Sequence, residues 1–273
     1  GIVNCFAEDI IDVLKGYDCL LWHFSNYSSQ EMNFAQSILY TAKKMGLRVF
    51  PNFETAWHFD NKVAESYLLK AIDAPTPFNI VFYDSDECKR WLDTKASYPI
   101  ISKLRCGSGS NNVKLHKTSG EAKRFAEKMF ADGFSNQPSV MFKLASNLKS
   151  SKSFATIINR VKRIPDFIHT RKASKKLARE SGYAYFQEFI KNDGYDLKVV
   201  VIGDKLSYIC RNIRKEDFRA SGGGSLFFDK SLVTDDIIDS AFKTTDELGA
   251  QCMGYDYVVD KKTGEGKIVE ISY

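Results

Sequence analysis

A mixed chain, α/β at its start and α+β in its body, is the fold class this sequence predicts, and three observations predict it. Residues 1–60 run strand, capped helix, strand, which implies a parallel βαβ unit and hence a small Rossmann-like lobe. Two long hairpins near the other end of the chain imply an antiparallel sheet. Amphipathic helices and short apolar strands alternate between them.

Taken in order, "EDIIDVLKG" has helical spacing and a Gly stop, and "YDCLLWHF" is a short buried strand. "SSQEMNFAQSILYTAKKMG" opens on a Ser-x-x-Glu capping box, Ser28 to Glu31, and stops at Gly46; "LRVFPN" is the next strand. "DNKVAESYLLKAID" is a helix ended by "APTP", "NIVFYD" a strand and "SDECKRWLDTKA" a helix. "YPIISKLRCGSGSNNVKLH" reads as strand, Gly-Ser loop and strand, and "TSGEAKRFAEKMFADG" as a helix. A strand over residues 185–202 then meets a Gly203-Asp204 turn. A helix at "TDDIIDSAFKTTDELG" and a last hairpin, "YDYVVDKKTGEGKIVEIS", complete the pattern.

The 273 residues, 44% apolar and 13% aromatic, are enough for a substantial core. No apolar run is long enough to span a bilayer, and the start of the chain lacks a signal pattern. The six cysteines lack metal-finger spacing and read as reduced core thiols, so a cytoplasmic protein without a membrane partner is expected. The net charge of +5 is uneven. Residues 149–179 hold ten Lys or Arg against Asp166 alone, a local +9 that leaves −4 for the rest. Such a run suits a polyanion, an acidic partner, a nucleotide or a solvated helical face. No recognisable nucleic-acid motif accompanies it, so nucleic acid is not expected as a partner.

The hairpins carry the chemistry. Counting outward from Gly203-Asp204 sets Asp196 opposite Arg211, with Lys198 on the same face. In the last hairpin, any odd-length loop brings Asp256 opposite Glu270 or Ser272. Facing carboxylates repel, and a divalent cation between them relieves the repulsion. Mg²⁺ suits these hard oxygens, while an exposed acidic hairpin is the alternative. "LRCGSGSNNVK" after Lys103 is either an anion-binding nest or a bare Gly-Ser hairpin. Arg219 precedes three glycines in "KEDFRASGGGS". Cations, paired carboxylates and a glycine loop together ask for a magnesium nucleotide.

Over residues 60–273 the order of these motifs resembles the ATP-grasp carboxylate–amine ligases, RimK-type and glutathione-synthetase-like branch. "FQEFIKNDGYDLKVVVIGDKLSYICRNIRKEDFRASGGG" looks like the family's Q-E-[YF]-I hinge, G-x-D-[IL]-[RK] strand and D-F-R motif. "GYDYVVDKKTGEGKIVEIS" looks like its G-x-D strand and terminal E-[VI]-N. The resemblance implies an ATP-grasp fold with a Rossmann-like pre-ATP-grasp lobe over 1–58 and an ATP-grasp domain over 59–273. That domain would divide into a small α+β lobe, about 97–187, and a large lobe, 188–273. It further implies ATP and Mg²⁺ as cofactors in a cleft between lobes. Glu188 and Phe189 would meet adenine, Asp196 the ribose, and Lys62 and Lys103 the phosphates. Arg219 and Lys198 would act catalytically, and Asp256, Glu270 and Ser272 would ligate the metal. The implied reaction is ATP-dependent amide formation between a small-molecule or peptide carboxylate and an amine. A nucleotide-binding regulatory or scaffold protein of the same fold is the alternative, and a polyanion-binding protein built on 149–179 is a third. Two departures favour the regulatory reading: Lys198 stands where the family usually has Arg, and Ser272 where it has Asn.

Overall fold

The computed structural model describes residues 1–26, 28–107, 112–135, 179–213, 218 and 225–273. Arg219 and residues 149–178 of the basic run lie outside them. The chain forms two compact units: Gly1–Asn79 with Gln187–Tyr273, and the described part of residues 80–186.

The first unit begins with α1 (Ile10–Leu14), β1 (Cys19–Leu21), α2 (Ser29–Lys44) and β2 (Arg48–Phe50). β1 and β2 are parallel, Leu20 beside Val49, as the strand–helix–strand pattern predicts. Ser28 Oγ accepts the Glu31 N–H at 3.2 Å. The return arm of the capping box is displaced, because the Glu31 carboxylate accepts from Ser25 N–H at 2.9 Å. Leu20, Phe24, Ala35, Leu39 and Val49 form the core between helix and strands. Tyr273 packs its ring onto Phe24 and Phe59, with centroids at 5.6 and 4.8 Å. A short helix absent from the sequence reading, α3 (Phe53–Ala56), is capped by Asn52, and α4 (Lys62–Ala71) by Asn61.

The second unit comprises β3 (Asn79–Phe82), α5 (Ser85–Thr94), β4 (Ile100–Lys103), β5 (Val113–His116), α6 (Ser119–Phe130), β6 (Phe134–Ser135), β7 (Arg179–Glu180) and β8 (Ala184–Glu188). Its sheet runs β3-β8-β4-β5, and the two helices begin on their side-chain caps Asp84 and Thr118. Trp91 lies 5.4 Å from Phe82 and 6.1 Å from Phe186, ring to ring. Arg105 grips Glu180 at 2.8 and 3.2 Å, and Tyr183 donates to the same carboxylate at 3.0 Å. The β6–β7 pair is too short to leave a periodic signal in the sequence.

The rest of the first unit is β9 (Tyr195–Ile202), β10 (Lys205–Asn212), β11 (Leu226–Phe227), α7 (Asp235–Glu247), β12 (Cys252–Val259) and β13 (Gly266–Ser272). The strands form one sheet in the order β11-β10-β9-β12-β13, each pair antiparallel. One face buries Leu197, Val199, Val201, Tyr255, Tyr257, Ile268 and Ile271 against Ile237 and Ala241 of α7. The two core tyrosines keep partners, Tyr257 with Ser240 at 2.8 Å and Tyr255 with Thr245 at 2.7 Å, as buried hydroxyls require. α4 lies along the β13 edge, where the buried Glu65 accepts the Ile271 N–H at 3.3 Å. That contact covers an edge strand that could otherwise pair with another chain.

Two sequence expectations are corrected. The strand read over 185–202 is two strands, because residues 189–194 leave the ladder and Gly194 takes φ 87°. The six cysteines are free, but only Cys88 and Cys210 are buried and Cys19 is exposed, so they are not all core thiols. Among the described residues no helix is long and apolar enough to cross a membrane.

Candidate functional site

The sheet of the first unit has a second face, and that face is polar. Alternation along β9 puts Leu197, Val199 and Val201 into the core and leaves Asp196 and Lys198 on the other side. The two-residue turn fixes the β9–β10 register, so Arg211 stands opposite Asp196 as counted from the sequence. The two join through a bidentate pair, Nε to Oδ1 and Nη2 to Oδ2, both at 2.7 Å. Asp196 is 1% exposed. Burial pushes its carboxyl up to about 6, although Arg211 works in the opposite direction. Arg211 loses hydration too, yet Asp196 and Asp256 outweigh that loss and hold its guanidinium above the ordinary range.

The last hairpin reaches the predicted pairing by an unpredicted route. Val259 pairs with Gly266, so the loop over 260–265 is even, not odd, and a regular ladder would miss the Asp256–Glu270 match. One extra residue, Val269, lies between the partners of Tyr257 and Asp256, and this bulge restores it. The same bulge lets Ile268 and Ile271 both face the core while Glu270 faces away. Asp256 and Glu270 are therefore direct cross-strand neighbours.

Three cations meet these carboxylates. Lys198 on β9 is opposite Asp256 on β12 and holds its Oδ1 at 3.1 Å. The same ammonium donates to Ser272 Oγ at 2.9 Å. It reaches Ser272 by lying over Gly254, where a Cβ would come within 3.1–3.2 Å of its last carbon and nitrogen. Arg211 adds a second cation 3.2 Å from Asp256 Oδ1. Lys62, at the start of α4, lies 3.0 Å from Glu270 and 3.8 Å from Asp60. Burial disfavours the Lys62 charge, but Glu270, Glu65 and Asp60 together raise its ammonium above the usual lysine range.

Asp196, Lys198, Asp256, Glu270, Ser272 and Lys62 are thus brought together by the first unit. Glu188 is exposed just past the boundary between the units; its N–H donates to Phe78 O at 2.8 Å, and its carboxylate accepts Phe78 N–H at 3.3 Å. Phe189 follows, half-buried. Lys103 closes β4 of the second unit and is buried. Sequence reasoning did not enlist Arg211 or Gly254 for the site. The signals were present: Arg211 faces Asp196 in the counted hairpin, and Gly254 precedes Asp256 by one strand period.

No family model matches the chain, and no curated protein does. Solved structures do. The chain superposes on N5-carboxyaminoimidazole ribonucleotide synthetase from Thermotoga maritima with a TM-score of 0.55 at 14% identity, over 97% of this chain and 54% of that one. The biotin carboxylase domain of 2-oxoglutarate carboxylase from Hydrogenobacter thermophilus, solved with MgADP, matches at TM-score 0.60, 14% identity, 97% and 50%. D-alanine–D-alanine ligase from Bacillus anthracis matches at 0.54, 13%, 97% and 72%. The fold is an ATP-grasp fold. The chain spans about half the length of the first two of these proteins, 54% and 50%.

The neighbour solved with MgADP invites a test of whether this face fits a divalent ion. The donor chemistry is right, but cations already stand beside these oxygens. Asp256 Oδ1, buried, has Lys198 and Arg211 at ion-pair distance, 3.1 and 3.2 Å, but accepts no hydrogen bond among the described residues; Ser272 Oγ accepts from Lys198; Glu270 is paired with Lys62. Among the described residues no group of three or more His, Cys, Asp or Glu is placed to hold a metal ion. As arranged, the face holds an ammonium where the sequence placed a metal ion.

Proposed function

We propose that this chain binds ATP on the polar face of its five-stranded sheet and is an ATP-dependent carboxylate–amine ligase of the RimK-type, glutathione-synthetase-like branch. The observation that carries this reading is the convergence of Asp196, Lys198, Arg211, Asp256, Glu270 and Lys62 on one sheet face and its flanking helix, within an ATP-grasp fold. In the proposed reaction a substrate carboxylate attacks the γ-phosphorus, ADP leaves, and an acyl phosphate forms. An amine then adds to the acyl carbon, expels phosphate and leaves an amide. Such a transfer needs positioning and charge neutralisation more than covalent help.

The chain's own cations suit that task. Lys198 donates to Ser272 Oγ and stands 3.1 Å from Asp256 Oδ1 as an ion pair without a hydrogen bond to it, so of its three N–H donors only one is spent on a partner among the described residues. Lys62, which the resemblance assigns to the phosphates, lies 3.0 Å from Glu270 beside this face. Glu188 and Phe189 remain the candidates for adenine; with the Glu188 N–H taken by Phe78 O, base contact falls to the remaining backbone groups there. Arg219 and Lys103 keep their sequence-based roles as proposals.

Calorimetric titration with a non-hydrolysable ATP analogue tests the nucleotide site; absence of binding at millimolar analogue overturns it. Release of inorganic phosphate, assayed across panels of acids and amines, tests the ligase chemistry. A second reading, a nucleotide-binding regulatory module without ligase chemistry, draws on the engagement of Lys198 with both Asp256 and Ser272. Analogue binding without turnover under any acid and amine pair would favour it.

A further inference from the structure

We infer that Lys198 is a resident cation of this site, its ammonium standing in for a divalent ion between Asp256 and Ser272; this rests on the reading of the face as a nucleotide site. Four observations converge. The ammonium donates to Ser272 Oγ at 2.9 Å and forms an ion pair with Asp256 Oδ1 at 3.1 Å, an oxygen that accepts no hydrogen bond among the described residues. Gly254 beneath it leaves room that a side chain would fill, with Lys198 Nζ 3.2 Å and the Ser272 carbonyl 3.2 Å from any Cβ. Arg211, 3.2 Å from the same carboxylate oxygen, adds charge that a metal ion would have to oppose. Glu270, the facing carboxylate, is turned to Lys62 at 3.0 Å.

The repulsion expected of two facing carboxylates is therefore relieved from within. On the sheet face Asp196, Asp256 and Glu270 meet Arg211, Lys198 and Lys62. A divalent ion entering beside Asp256 would lie within a few ångströms of Lys198 and Arg211, where like charges repel strongly. The two departures noted in the sequence, Lys198 and Ser272, are bonded to each other, which makes them one coupled change and not two independent losses. A lysine is a compact point charge with rotating donors, closer in shape to a bound ion than a flat guanidinium is.

The test uses Mn²⁺ alone, without nucleotide, followed by electron paramagnetic resonance on the wild-type chain, Lys198→Met and Lys198→Met/Glu270→Gln. The wild type is expected to take up no Mn²⁺ at this face. Lys198→Met is expected to bind one ion at least about tenfold more tightly, a step of roughly 1.4 kcal/mol, and the double variant to lose it again. Stoichiometric Mn²⁺ uptake by the wild type, lost in Glu270→Gln, would overturn the inference, and that measurement needs no variant of Lys198 to fold. Equal weak binding in wild type and Lys198→Met, with both folded by circular dichroism, would overturn it too. Failure to bind the ATP analogue would instead count against the nucleotide site and leave these results readable.

Discussion

At the scale of single residues, Lys198 shows what a sequence yields and withholds. Its strand, its face and its opposite number follow from alternation and a two-residue turn. Its contact with Ser272 does not, because it depends on a long side chain leaning across Gly254 to a strand two places away in the sheet. Gly254→Ala should crowd that path, and since the Ser272 carbonyl is backbone, the lysine end must yield. The expected cost is about 1 kcal/mol in urea unfolding, with ATP-analogue binding weakened several-fold. His58 is a second case. It is fully buried, and neither ring nitrogen has a hydrogen-bond partner among the described residues. Burial lowers its pKa to about 4. His58→Phe puts an apolar, somewhat larger ring in place of the imidazole and removes the unbonded nitrogens, so stability at pH 7 should hold or rise, read from the urea midpoint.

Between elements, the bulge on β13 decides whether Glu270 points at the core or at the site, and it was not legible. Parity counting assumed a regular ladder and an odd loop; the chain uses an even loop and an extra residue, Val269. Nothing in "GKIVEIS" marks that extra residue, since Val is as good a strand former as its neighbours. What the sequence did mark is the start of β13. Gly266 lies under α7, where a Cβ would stand 2.5 Å from Ile237 Cγ1 and 2.9 Å from its Cδ1. Gly266→Ala should therefore cost roughly 1–3 kcal/mol by lifting the helix from the sheet. The substitution tests packing alone: a midpoint unchanged in urea would show that α7 is less tightly seated than these distances require. Helix caps, by contrast, were readable because each is a local rule, and Ser28 obeys it although the reciprocal arm goes to Ser25.

Over the whole molecule, acid should act on each unit through a buried imidazole among the described residues. His58 belongs to the first unit and His116 to the second, and burial sets both at about 4 against an ordinary 6.5. The unfolded chain then binds protons that the folded one refuses, so stability is present above pH 6.5 and is lost as pH falls toward 4. Each histidine should contribute about 1–2 kcal/mol of loss between pH 7 and 5. Asp196 works the other way, because its raised value of about 6 makes the folded state the better proton acceptor between 6 and 3.8. Two groups against one predict a net fall in calorimetric Tm from pH 7 to 5, flattened by His58→Phe and by His116→Phe. Order of elements, the parallel start and the antiparallel end were all legible, since they rest on periodicity and turns. The division into units rests on which segments pack together across more than a hundred residues, which no local pattern in the sequence marks. That division has an optical consequence. Of the three tryptophans, Trp22 and Trp57 belong to the first unit, and Trp91, set between Phe82 and Phe186, belongs to the second. A Trp22→Phe/Trp57→Phe chain would emit from the second unit alone, and Trp91→Phe from the first alone. Two fluorescence traces would then report whether the units melt as one body or in turn.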